Sequence, residues 1–241
     1  MTEPAKIAFY DLDGTLVSSN IVTRYAFLVR HLPSRLQALW KSVKLLASVP
    51  AYLALDHVSR QMFNEVFFRE YRGMELDWLS KLSRELFEEV VRPSLHPGAQ
   101  KLLEQDRAQG FRLVLVTGEL DFALGPLVNH LGLDALICNR LVFENGAATG
   151  EVVRPLIAEE AKVHAMSKLC NELRAPIAVC KGYSDSFSDT PMLEAVGNPA
   201  AVNPDRRLRK TATRRGWPIL DLHHSGTSTR DFTRGNHGHI S

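Results

Sequence analysis

Cysteine is scarce in this chain. Cys138, Cys170 and Cys180 are the three present among 241 residues, and they form no C-x-x-C pair. An odd, scattered set argues against a disulfide framework or a zinc site, and for reduced thiols in a cytoplasmic setting. Net charge is almost absent: 29 Lys and Arg against 27 Asp and Glu give +2 at pH 7. Nothing global draws the chain to nucleic acid. Long apolar runs are missing too. The longest uncharged one, Leu45 to Leu55, contains Pro50 and covers about half of the ~20 residues a membrane crossing needs. The opening residues MTEPAKIAF hold no basic segment followed by an apolar one, so no secretory signal is expected. There is no internal repeat. What remains is ample for a core: 45 % of the residues are hydrophobic, enough for one domain or one domain with an insertion.

Four short runs read as strands. KIAFYD ends at Asp11, FRLVLVTG spans Phe111 to Gly118, APIAVCKGYSD leads to Asp185, and PAAVN follows. They are continuously apolar rather than alternating, which suits strands covered on both faces of a parallel sheet. Helical patterns lie between them: PGAQKLLEQDRAQG, EEAKVHAMSKLCNEL and DTPMLEAVG, the last with Asp189 placed to cap it. The alternation predicts an α/β fold, a doubly wound parallel sheet. LVFENGAATGEVV departs from that pattern and reads as a β-hairpin turning at Asn145-Gly146. About ninety residues separate the first two strands, far more than one crossover helix requires. Residues 16–92 read as a helical cap broken at Pro33 and Pro50, inserted into a core made of 1–15 and 93–222. Residues 223–241 are polar and rich in Gly, Ser and Thr, and read as a disordered tail.

In an open parallel sheet the ligand lies beyond the carboxyl ends of the strands. The first strand delivers Asp11 and Asp13 there, the second Thr117 and Gly118, the third Asp185 and, four residues on, Asp189. Lys162 lies on the preceding helix. Asp-Gly after a strand can be a plain turn, and a lone helix lysine is usually solvated. Taken together, the carboxylates would repel one another without a cation among them, and an all-oxygen set suits Mg²⁺.

These segments, in this order, resemble the haloacid dehalogenase superfamily of phosphohydrolases. The cap after the first motif resembles the subgroup that contains phosphoserine phosphatase. The resemblance runs from Lys6 to about Leu222. It implies that Asp11 attacks phosphorus and that Asp13 moves protons. It also implies that Thr117 and Gly118 hold a phosphoryl oxygen and that Lys162 neutralises charge. Asp11, the Asp13 main-chain carbonyl, Asp185 and Asp189 would serve Mg²⁺. The family's fourth motif usually has glycine just before its first aspartate; here Ser184 stands there.

The substrate is less legible. Phosphoserine phosphatases carry glutamate nine residues after the nucleophile, where this chain has Asn20, which is taken as a substrate-side residue. No acidic residue occurs between Asp13 and Asp56, whereas Arg24, Arg30, Arg35, Lys41 and Lys44 do. Such a segment can pack as a cap whose basic rim attracts phosphate esters, or lie on an anionic membrane surface. The expected activity is Mg²⁺-dependent hydrolysis of a small phosphate ester. The alternatives are a lipid-phosphate phosphatase at a membrane and an idle fold used for binding. Oligomeric state is not legible.

Overall fold

The computed structural model describes residues 5–224, the His57 side chain excepted. The expected disordered tail lies outside them from residue 225 on. Eight strands occur among these residues: β1 (Lys6–Tyr10), β2 (Phe111–Leu120), β3 (Ala135–Asn139), β4 (Leu141–Glu144), β5 (Ala147–Val152), β6 (Lys181–Ser184), β7 (Asn198–Val202) and β8 (Ile219–Leu220). Six form one sheet in the order β3-β2-β1-β6-β7-β8, every neighbouring pair parallel. The expected α/β doubly wound sheet is therefore present. Strands β3 and β8 were not foreseen: β3 lies at an edge and is half-buried along most of its length, and β8 is two residues long. The third strand is shorter than its apolar run, because Ile177–Val179 after Pro176 coil into a 3-10 turn.

Nine α-helices accompany the strands among the described residues. The cap carries α1 (Ile21–Arg30), α2 (Arg35–Val58), α3 (Arg60–Phe67) and α4 (Leu76–Leu86). The core carries α5 (Ala99–Ala108), α6 (Gly125–Leu131), α7 (Glu160–Glu172), α8 (Thr190–Ala195) and α9 (Arg206–Arg215). Both sheet faces are covered. Ile7, Phe9, Val114 and Val116 pack with Met166 and Cys170 of α7 and Met192 of α8. Ala8, Tyr10, Leu113 and Leu115 pack with Leu102 and Leu103 of α5 and Leu127 of α6. Adjacent residues of one strand thus feed opposite cores, which is why the runs are continuously apolar.

The cap has its own core around Tyr25, Leu28, Phe63, Phe67, Tyr71 and Leu79. Tyr25 meets Phe67 and Tyr71 edge-on at 5.4 and 5.1 Å between ring centroids. The β4–β5 hairpin turns at Asn145 and Gly146, both with positive φ, as a two-residue turn requires. It packs on the cap: Leu141, Ala148 and Val152 join that core. The Gly73 and Leu76 amides donate to Ala148 and Gly146 at 2.8 and 3.0 Å.

One expected break is absent. Pro33 separates α1 from α2, but α2 runs straight through Pro50. Proline removes an amide donor and crowds the preceding turn. Pro50 and Leu46, whose carbonyl loses its donor, both lie on the exposed side of the helix.

Candidate active site

The loop after β1 begins as a continuation of the sheet. The Asp11 amide donates to the Tyr183 carbonyl at 2.9 Å, and Gly14 then turns the chain with φ +82°. A Cβ at Gly14 would lie 2.1 Å from an oxygen of Asp185. Only glycine therefore allows β1's loop and β6's loop to meet. Thr15 donates to Asp185 Oδ1 at 3.3 Å.

Lys162, in the first turn of α7, is buried. Its Nζ donates to Asp11 Oδ1 at 2.7 Å and to Asp189 Oδ2 at 2.8 Å. Ser184 donates to the same Asp189 oxygen at 2.7 Å. The serine that stands in the family's glycine position is thus occupied in holding Asp189. Asp189 makes no capping bond to α8; its carboxylate is turned toward Lys162 and Ser184 instead.

Asp11, Asp13, Thr117, Gly118, Lys162 and Asp189 line one cleft. Asp185 lies beside it, against Gly14. Asn20 is not brought in. It is exposed and caps α1, its Oδ1 accepting from the Thr23 amide at 3.0 Å while Thr23 Oγ1 accepts from the Asn20 amide. Thr117 is buried and its hydroxyl accepts from the Glu119 amide at 3.1 Å. The cap covers the cleft with Ile21, Arg60 and Asn64. The cavity volume inside is about 30 Å³. Asn64 is buried and its amide nitrogen has no hydrogen-bond partner.

Three residues that shape the site escaped sequence reasoning: Arg24, Glu119 and Asn64. Arg24 is fully buried. Its guanidinium donates to Asp13 Oδ1 at 2.5 Å, to Ser19 Oγ at 3.2 Å and to Glu119. A signal was present. Ile21, Arg24, Tyr25 and Leu28 recur at i, i+3, i+4 and i+7, so Arg24 lies on the apolar face of α1 and not on a basic rim. A charge at a core position implies a buried partner.

Negative charge dominates here. Burial pushes the Asp11 carboxyl up to about 6; Lys162 opposes that strongly, while Asp189 and Asp13 add to it. Burial acts against the Lys162 charge, but Asp11 and Asp189 outweigh it, so its ammonium is held above the ordinary lysine range. The ion pair therefore keeps Asp11 well below where desolvation alone would set it. Asp185 is only part-buried by surface, yet desolvation, then Asp11 and Asp189, push its carboxyl well up, with Arg60 opposing. That carboxylate has one long side-chain hydrogen bond and a surplus of like charge around it, the environment that a cation relieves.

Among the described residues no three Asp, Glu, His or Cys side chains converge as a metal cluster. The residues that could hold a cation are fewer: the carboxylates of Asp11 and Asp185, which feel each other's charge, with the Asp13 main-chain carbonyl as the further oxygen that the family resemblance implies. Mg²⁺ typically keeps several waters and takes one or two carboxylates, so this oxygen set fits it.

Asp11 and the buried lysine that holds it stand at the switch point between β1 and β6, where an open parallel sheet binds its ligand. The chain belongs to the haloacid dehalogenase-like hydrolases, whose family model matches residues 8–194. It is a hydrolase of the phosphatase type. A Streptomyces azureus protein named for inhibition of morphological differentiation is 31 % identical over 226 residues, 91 % of this chain and 79 % of that one. A histidinol-phosphatase of Neisseria meningitidis is 27 % identical, covering 90 % of this chain and 98 % of its own. The fold matches a phosphoserine phosphatase solved as an analogue of its phospho-aspartyl intermediate. The TM-score is 0.68 and the identity 17 %, over 92 % of this chain and 95 % of that one.

Proposed function

We propose that this phosphatase hydrolyses a small phosphomonoester through a phosphorylated Asp11. The observation that carries the reading is the Lys162 contact to Asp11 at the floor of a cleft also lined by Asp13, Thr117 and Gly118. An Asp11 oxygen attacks phosphorus and the ester P–O bond breaks. Asp13 gives its proton to the leaving oxygen. Water then attacks the acyl phosphate, Asp13 takes the water's proton, and the P–O bond to Asp11 breaks, restoring the carboxylate. Arg24 holds Asp13 Oδ1, which leaves Oδ2 for proton transfer. Lys162 balances charge on Asp11 and on the phosphoryl oxygens. Thr117 Oγ1 and the Gly118 amide are the groups that hold a phosphoryl oxygen. Mg²⁺ on Asp11, Asp185 and the Asp13 carbonyl would supply further charge neutralisation of the phosphoryl group.

The part of the ester beyond phosphorus meets the cap. Arg60 and the unpartnered amide nitrogen of Asn64 line that side, so they favour a small ester bearing hydrogen-bond acceptors. Asn20 is committed to its capping box. The intact set of Asp11, Asp13, Lys162 and Asp185 argues against an idle binding module. Asp11→Asn is expected to abolish phosphate release while leaving the circular dichroism spectrum unchanged. Release retained on a generic aryl phosphate would overturn the proposal. A panel of amino-acid, sugar, nucleotide and lipid phosphates would identify the ester.

A further inference from the structure

The second helix of the cap is inside out for a helix in water. Its inner face carries Lys41, Ser42, Ser48 and Tyr52 beside Leu45 and Val49. That face is fixed by Glu70, a buried acid that binds Lys44 at 2.7 Å and the Tyr52 hydroxyl at 3.0 Å. Lys41 Nζ also donates to the Glu70 carbonyl at 2.7 Å. The outer face is apolar. Leu36, Trp40, Val43, Leu46, Leu53 and Val58 are each more than half exposed, with Leu36 at 77 % and Trp40 at 68 %. They run the length of the helix, about 33 Å at 1.5 Å per residue. Contiguous apolar surface on this scale marks an interaction site. Among the described residues no helix is long and apolar enough to cross a membrane.

We propose that α2 docks this protein onto a lipid surface bearing anionic headgroups. Charge and shape carry the choice. No acid lies between Asp13 and Asp56, so every charge that α2 itself carries before its last turn is basic. Arg35 is exposed at its start; Arg30, 3.8 Å from the exposed Glu89, lies just before it, and Lys44, half exposed along its side, is held by Glu70. Basic groups at the rim of an apolar helix face fit phosphate headgroups around inserted Leu and Trp side chains. A second copy of the same face would bring basic flank against basic flank, and Asp56, the one acid in α2, is already paired with Arg60 at 3.1 Å. The face is also convex, the surface of one helix rather than a groove. A deformable lipid layer conforms to that shape. The helix ends one residue before α3, whose Arg60 and Asn64 line the catalytic cleft, so docking would place the membrane contact next to the cap's substrate side.

Flotation of the full chain with phosphatidylcholine vesicles, with and without phosphatidylglycerol, tests this. Binding is expected to vesicles containing phosphatidylglycerol, with a blue shift of Trp40 emission and loss at high salt. The triple variant Leu36→Ser, Leu46→Ser, Leu53→Ser is expected to bind at least about tenfold more weakly, with phosphate release on a soluble aryl phosphate unchanged. Failure of the unmodified chain to float would overturn the proposal whatever the enzyme's activity. So would a sedimentation dimer that the triple variant converts to monomer, which would assign the face to a second copy. Equal binding to neutral vesicles would overturn the part played by the basic rim.

Discussion

Replacing Arg24 by Met should be among the most damaging single changes in the cap. The side chains of Arg24 and Glu119 are each about 1 % exposed, and Asp13 shares the same guanidinium. Met keeps the apolar stem and removes the charge. Glu119 is then a buried carboxylate without its counter-ion. Breaking one partner out of a buried pair costs about 3–5 kcal/mol. For a domain of this size each kcal/mol moves Tm by about 2–4 °C, so a fall of about 6–20 °C is expected in a thermal scan. Glu119→Gln in the Arg24→Met background should recover part of the loss, with a coupling of about 0.5–3 kcal/mol in urea unfolding. The pH dependence follows from Glu119. Burial already raises its carboxyl, and Arg24 opposes that rise; without Arg24 it rises further. Between the ordinary glutamate value, about 4.3, and the raised folded value, the folded state binds more protons than the unfolded state. Stability therefore falls as pH rises through that window, and the variant's deficit should narrow as pH is lowered from about 8 to about 5. A loss under about 1 kcal/mol, additive with Glu119→Gln, would refute the buried triad.

Three further outcomes are expected. Lys162→Met should lower kcat by at least about 10²–10³, the scale of losing a preorganised charge at the reacting group, and should destabilise the fold because Asp11 and Asp189 lose their shared cation; steady-state kinetics with thermal unfolding checks both. Gly14→Ala should cost about 1–3 kcal/mol for a side chain forced to positive φ. It should also displace Asp185, whose oxygen lies 2.1 Å from the new Cβ position, so a weakened metal response with largely preserved helical content is the expected signature. Chelation by EDTA should abolish phosphate release and lower Tm, and added Mg²⁺ should restore both. Activity that survives exhaustive chelation would remove the metal from the account.

Much of the core was legible because its pattern is local. A strand buried on both faces is a continuous apolar run, and helices bounded by Pro and Gly declare their ends. The motif residues could be placed because each lies at or just past the carboxyl end of a strand, or precedes one on its helix; Thr117 and Gly118 are the exception in detail, since β2 runs on to Leu120. Where tertiary contacts decide, sequence reasoning fell short. Arg24 counted as one of five basic residues in the cap, since its carboxylate partners are supplied by the loop after β1 and by β2. Asn20 occupied a suggestive spacing, yet the backbone of α1 claims its side chain as a cap. Pro50 promised a break that the exposed face of α2 tolerates. The apolar residues of α2 read naturally as cap packing; only the structure shows that its polar face is the one turned inward, around Glu70.

The central claim is that phosphorus passes through Asp11. Acid quenching during turnover of a ³²P-labelled ester, followed by peptide mapping, tests it most directly. Label is expected on the peptide containing Asp11, lost on treatment with hydroxylamine and absent from Asp11→Asn. Rapid turnover without any protein-bound label, or label on another residue, would contradict it.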